Sequence, residues 1–150
     1  MRQIIAEHEV VKQVNEKFYR ALEAASLSAM SGLWLHTDWV KCVHPGWDLL
    51  VGWPQIRRSW EQIFSNPSGI RVAPENVDVF IEGDFALVSC YENLALFLHS
   101  FEAPVFTRTT ATNLFQRVGG EWKLIHHHAS PVPKAPLVEE DEVTFPETIQ

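Results

Sequence analysis

From Ile70 to Ala129 the sequence reads as one strand after another, and this run limits the fold more than any other feature. Ile70 to Ile81 is rich in β-formers and is interrupted only by Pro74, which suits an edge strand or a bulge. Glu82-Gly83-Asp84 is a hairpin turn, and Phe85 to Phe97 is a long apolar strand. A loop around His99 to Pro104 leads to Val105 to Val118, which places Thr107, Thr109, Thr110 and Thr112 at β-favouring positions. Gly119-Gly120 is a two-residue hairpin signal, and Glu121 to Ala129 returns as the last strand. Long strands joined by such short turns pair antiparallel, and their apolar face needs cover from another layer.

That cover is encoded upstream. Ile4 to Ala25 repeats apolar residues at helical spacing through Val11, Val14, Phe18 and Leu22. Ser26 is placed to cap a short second helix carrying Leu27, Met30, Leu33 and Trp34. Asp38 to His44 alternates as a strand, Pro45-Gly46-Trp47-Asp48 turns, and Leu49-Leu50-Val51 returns. Pro54 then opens a third helix with Ile56, Trp60, Ile63 and Phe64 as its buried stripe. Helices first and strands afterwards predict an α+β domain: about three helices packed on a strongly curved antiparallel sheet, a cone-like α+β barrel enclosing a pocket. The expected domain runs over residues 1–133, and residues 134–150 form an acidic, Pro-containing tail.

A chain of 150 residues suits one domain, able to bury about two thirds of its unfolded surface. Its six tryptophans and nine phenylalanines are enough to fill a core and still line a pocket. The formal net charge of −7 argues against nucleic-acid binding, which needs a dense basic surface. No apolar run is long enough to span a bilayer, and the first residues lack a signal-peptide core. Cys42 and Cys90 both fall in predicted strands and read as reduced buried thiols, which points to the cytoplasm.

Two local patterns resemble a known superfamily. Asp38-Trp39-Val40-Lys41-Cys42-Val43-His44-Pro45, followed by Gly52 and the helix Pro54 to Phe64, resembles the first strand pair and third helix of SnoaL-like domains, members of the nuclear-transport-factor-2-like superfamily. Thr112-Asn113-Leu114-Phe115-Gln116-Arg117, with Gly119-Gly120-Glu121-Trp122 running on to His126-His127-His128-Ala129-Ser130-Pro131, resembles their terminal hairpin. The likeness covers roughly Glu7 to Pro133. Superfamily members include ketosteroid isomerase, scytalone dehydratase, limonene epoxide hydrolase and polyketide cyclases. The association domain of calcium/calmodulin-dependent kinases has a similar ending and serves assembly. The resemblance implies a homodimer through the sheet face and a small-molecule pocket. It also implies a general base at the end of the first strand, where ketosteroid isomerase has an aspartate before a proline and this chain has His44 before Pro45. Tyr19 lies one residue from the position of that isomerase's oxyanion-donating tyrosine.

His44 and Tyr19 are therefore the candidate catalytic residues, since an imidazole near neutral pH can accept and return a proton. His44 bonded to backbone as a structural residue is the competing reading. On the last strand His126 and His128 share parity with Trp122 and Leu124, and that face is assigned to the pocket. Tyr91 and Asn93 share a strand face and offer hydrogen bonds; Arg108 could hold a carboxylate or pair with Glu92. Trp39 and Trp60 are the aromatic candidates for the pocket wall. No carboxylate sits at a metal-ligand spacing beside the histidines, phosphate-binding glycine loops are absent, and Ser130 lies in no nucleophile elbow, so neither metal nor cofactor is expected. Three function classes stand. They are an acid/base isomerase, lyase or cyclase using His44, a non-catalytic binder of a small apolar molecule, and an association module with no substrate.

Overall fold

The computed structural model describes residues 2–66, 69–99 and 101–133, with side chains from residue 6 onward. The tail expected over residues 134–150 lies outside the described residues. Helix α1 (Arg2–Ala24) turns Val11, Asn15, Phe18 and Tyr19 toward the sheet, all at 2% exposure or less. Ser26 caps α2 (Leu27–Leu33) by accepting from the Ala29 backbone N–H at 3.1 Å, which satisfies one of the helix's free donors. Helix α3 (Trp53–Phe64) starts after Gly52, whose φ of 90° is open to glycine at little cost, and takes Pro54 in its first turn.

Six strands follow the expected order: β1 (Lys41–Val43), β2 (Leu50–Val51), β3 (Gly69–Glu82), β4 (Phe85–Phe97), β5 (Val105–Val118) and β6 (Glu121–Pro131). They form one sheet in the order β2-β1-β6-β5-β4-β3. The sheet is mixed, because β1 runs parallel to β6 and every other pair is antiparallel. The first strand is shorter than its alternation suggests. The start of α3 takes the carbonyls of Thr37 and Val40, through Trp53 N–H at 2.9 Å and Gly52 N–H at 2.8 Å, and so bends residues 37–40 out of the ladder. Pro74 stays in register opposite Glu92 because β3 is an edge strand and its outer N–H positions need no partner. The irregularity falls two residues later, at Asn76, with φ 55°.

One face of the sheet, with the helices on it, holds the core. Phe18, Met30, Ile56, Val72, Val88, Phe115 and Leu124 are all fully buried there. Each such side chain contributes about 1.5–3 kcal/mol through removal of apolar surface from water. Cys42 and Cys90 are buried free thiols. Among the described residues no helix is long and apolar enough to cross a membrane.

Candidate functional site

The helix-covered face of the sheet carries more than apolar side chains. Alternation along β4 sends Cys90, Glu92 and Leu94 inward, and along β5 it sends Thr109, Ala111, Asn113 and Phe115 inward. Opposite them α1 supplies Asn15 and Tyr19, one helical turn apart. The result is a string of buried polar groups whose hydrogen atoms can be assigned from their partners.

Tyr19 donates its hydroxyl proton to Glu92 Oε2 at 2.6 Å, and Thr109 donates to Glu92 Oε1 at 2.5 Å. With that proton committed, the Tyr19 oxygen accepts from Asn113 Nδ2 at 3.2 Å and from the Cys90 thiol at 3.4 Å. Asn113 Nδ2 also donates to Asn15 Oδ1 at 2.8 Å. Asn113 Oδ1 is then the acceptor for His127 Nδ1–H at 2.5 Å, which leaves His127 Nε2 with the free lone pair. The donors run from His127 through Asn113 and Tyr19 to the Glu92 carboxyl, with Asn15 accepting on a side branch.

A second imidazole lies beside this string. Ser59 donates its proton to the Ile56 carbonyl at 2.6 Å, so His44 Nε2–H donates to Ser59 Oγ at 2.8 Å and His44 Nδ1 keeps the lone pair. The Cys42 sulfur is 3.9 Å from that nitrogen. The rings of His44 and His127 are 6.4 Å apart, and both meet the Trp60 indole, at 4.6 and 6.4 Å. Phe18 closes over His127 at 4.8 Å. On the outer side Trp47 meets His44 edge-on at 4.9 Å, and it is the one member of this group that reaches solvent substantially.

Burial sets the titration of these groups. It lowers His44 to about 4 and holds His127 well below the usual imidazole range, with His44, His126 and His128 adding repulsion at His127. Burial raises Glu92 above the usual carboxyl range, against the opposing effect of the bonds from Thr109 and Tyr19. It raises Tyr19 and pushes Cys90 up to about 11, so neither thiolate nor phenolate forms near neutral pH. Both imidazoles are neutral at pH 7; His127 Nε2 keeps its lone pair, and His44 Nδ1 faces the Cys42 thiol.

The structure brings together Tyr19, His44 and Trp60 of the residues singled out from the sequence. It does not bring in the others. His126 and His128 were expected to share the inward side of Trp122 and Leu124. A register shift opposite Leu114/Phe115 inserts Ile125 as an extra residue, so Leu124 and His127 face inward while His126 and His128 face outward. Tyr91, Asn93 and Arg108 also lie on the outer face. Arg108 stacks on the Tyr91 ring at 3.9 Å and pairs with Glu75 at 2.7 Å, rather than with Glu92. Asn93 is buried there, donating to the Ala73 carbonyl and to Glu75. Trp39 is exposed on the bend before β1. Among the described residues no group of three or more metal-ligating side chains occurs.

Sequence reasoning missed Asn15, Ser59, Glu92, Thr109, Asn113 and His127. A signal existed for several of them. Asn15 interrupts the apolar stripe of α1 one turn after Val11, and Glu92 and Asn113 sit at core parity within apolar strands. A buried polar side chain at a core position needs a partner, and these are one another's partners.

The profile of the SnoaL-like domain matches residues 11–134, which include every residue of the polar string. The chain belongs to the SnoaL-like domain family. Relatives of this domain span different settings. The F-box protein SKIP8 of Arabidopsis thaliana is 31% identical over 117 residues, 78% of this chain and 47% of that protein, so the chain spans about half the length of this relative. A solved structure from Streptomyces avermitilis, described as a candidate dehydratase of the nuclear-transport-factor-2-like family, is 36% identical, with a TM-score of 0.78 over 86% of this chain and 98% of the other. A candidate calcium/calmodulin-dependent protein kinase type II association domain from Thiobacillus denitrificans is 29% identical, with a TM-score of 0.68 over 81% of this chain and 94% of the other.

Proposed function

We propose that this SnoaL-like domain is an acid/base lyase that eliminates water from a small, largely apolar β-hydroxy carbonyl compound at its polar interior. The observation that carries this reading is the hydrogen-bonded string from Glu92 to His127, lying beside His44. A core needs no such set for stability, because buried polar groups must recover their lost hydration and rarely gain more. Clusters of strongly shifted titratable groups are instead concentrated where protons are moved. The likeness to a candidate dehydratase supports the same reaction class.

The chemistry follows from the unprotonated imidazole nitrogens. An imidazole takes the proton from the carbon beside the carbonyl. The electron pair forms the C=C bond as the C–O bond breaks, and the imidazolium returns its proton to the leaving hydroxide as water. Asn113 and Ser59 fix the tautomers of His127 and His44 alike, but His44 Nδ1 faces the Cys42 thiol at 3.9 Å, so His127 Nε2 is taken as the base. His44 keeps the supporting position beside Trp60. Trp47 is the member of the group nearest solvent, so the reading requires substrate to enter by displacing it.

The test uses small β-hydroxy ketones of graded size and reads enone formation by ultraviolet absorbance. Wild-type protein is expected to form enone, and His127→Gln to lose at least ~100-fold in rate while its melting temperature at pH 7 moves little. Absence of enone from every compound, together with unshifted His127 resonances on addition of each, overturns the reading.

Association is a second reading, favoured by the other side of the sheet. Phe80, Phe85 and Leu87 lie on the outer face and are 55%, 49% and 41% exposed. Strands β3 to β6 are 11 to 14 residues long. At ~3.3 Å per residue and ~4.8 Å between strands they present ~800 Å², about what one partner contributes to a stable interface. The likeness to a candidate association domain agrees with it. A dimer of two such faces is expected by sedimentation at micromolar concentration.

A further inference from the structure

The outward histidines occupy a telling place on that face. His126 and His128 project from β6, and β6 lies with β5 in the middle of the sheet order. Their rings are 6.3 Å apart. An isologous contact between two copies of this face puts the same residues near its axis from both sides, so the pair of one copy lies close to the pair of the other.

The immediate register neighbours of the pair are apolar, hydroxyl-bearing or cationic. On β5 its register partners are Leu114 and Thr112, and beyond them on β4 stand Leu87 and Ser89. On β1 the partners are Lys41, across from His126, and Val43, across from His128. Along β6 the nearest charges, Lys123 and Glu121, pair with each other at 3.6 Å. The outward acids Glu75, Asp78 and Glu82 are on β3, at the far edge of the sheet, and Glu75 pairs with Arg108. No strand beside the pair offers it a carboxylate at these register positions, and His126 already titrates low through burial, His128 and Lys41.

We propose that self-association through the outer sheet face is gated by protonation of the His126–His128 pair, so that a dimer formed at neutral pH separates in mildly acidic solution. The inference rests on the association reading above and is independent of the interior chemistry. Neutral imidazoles are compatible with an apolar contact. Protonated ones add to Lys41 and place several positive charges from each copy in a desolvated patch. The sign follows: imidazoles that titrate lower in the dimer than in the monomer favour the dimer above pH ~6.5 and weaken it as pH falls. Each pKa lowered by one unit on association weakens the dimer ~10-fold at acidic pH.

The experiment is sedimentation equilibrium of the full chain at pH 7.5 and 5.5, with near-ultraviolet circular dichroism confirming intact tryptophan packing at both. The expected result is a dimer whose dissociation constant rises at least ~10-fold at the lower pH, and a His126→Gln/His128→Gln variant whose constant stays within about threefold. A monomer at both pH values overturns the association reading and this inference with it. A wild-type dimer of equal or tighter affinity at pH 5.5 overturns the inference alone. Equal weakening in the double variant also overturns it, because the interior histidines are unchanged there.

Discussion

Between pH 7 and pH 4 the domain is expected to lose about 3 kcal/mol of stability through His44 alone. An unfolded imidazole titrates at ~6.5, and His44 in the fold titrates at about 4. A group whose folded pKa is depressed gives stability that is complete above the unfolded value. That stability drains away as the unfolded chain takes up the proton that the fold refuses, and the loss levels off below the folded value. His127, lowered further by complete burial, adds a loss of the same sign. Glu92 acts in the opposite direction, because its raised pKa makes the fold a better proton acceptor than the unfolded chain. Its opposing slope lies between the unfolded carboxyl value of ~4.3 and the raised folded value, so in that window Glu92 offsets part of the histidine loss. Urea unfolding at pH 7, 6, 5 and 4 reads the slope directly. His44→Gln keeps a donor for Ser59 and removes the titration, so its curve should be flatter by about 1 kcal/mol per pH unit across pH 6 to 4.5. Parallel curves for the two proteins would show that His44 is not held neutral by burial.

This acid sensitivity belongs to the same feature as the proposed chemistry. Neutral imidazoles with one unprotonated nitrogen each are what a buried site offers as bases at pH 7, and the cost of keeping them neutral appears on acidification. The two faces of one sheet thus carry histidines in opposite surroundings. His44 and His127 face the helices beside Trp60 and Phe18, where charge is excluded. His126 and His128 face outward, where a second copy would decide whether charge is tolerated.

Element order was legible in the sequence because periodicity and turn chemistry speak locally. The strands from Phe85 to Val118 and the Ser26 cap required no tertiary information. The register of β6 did not announce itself. The run of three histidines alternates in either register, and nothing in Trp122-Lys123-Leu124-Ile125 marks the bulge that reverses the faces. Arg108 was misassigned for a related reason. Glu92 and Glu75 are both available to it in sequence, and only strand parity puts Glu92 inside and Glu75 outside with the arginine. The parallel β1–β6 pairing is a long-range contact that local patterns leave open. The polar string was readable in part, as Asn15 on an apolar stripe and Glu92 on an apolar strand, but their partnership needs α1, β4 and β5 in one place.

Removing both donors to the Glu92 carboxyl should cost more than any apolar truncation of equal size. Tyr19→Phe and Thr109→Val are nearly isosteric, so neither opens a large cavity, and the double variant leaves both carboxyl oxygens without the bonds of 2.6 and 2.5 Å that now hold them. A buried charged acceptor stripped of its partners costs about 3–5 kcal/mol. Part of that loss is escaped by protonation, since the raised pKa of Glu92 rises further once the two bonds that oppose burial are gone. The pH dependence then has a definite sign. A carboxyl with a raised folded pKa gives stability that is complete below the unfolded value of ~4.3 and is lost as pH rises through the folded value, opposite to the histidines. The double variant should therefore be most damaged at pH 8 and least at pH 5, by urea unfolding. Adding Glu92→Met to it should restore most of the loss at pH 8, because a methionine of similar volume needs no donors. If the triple variant is as unstable as the double, the damage lies in packing around Tyr19 rather than in the carboxyl, and Glu92 is not the acceptor on which the string converges.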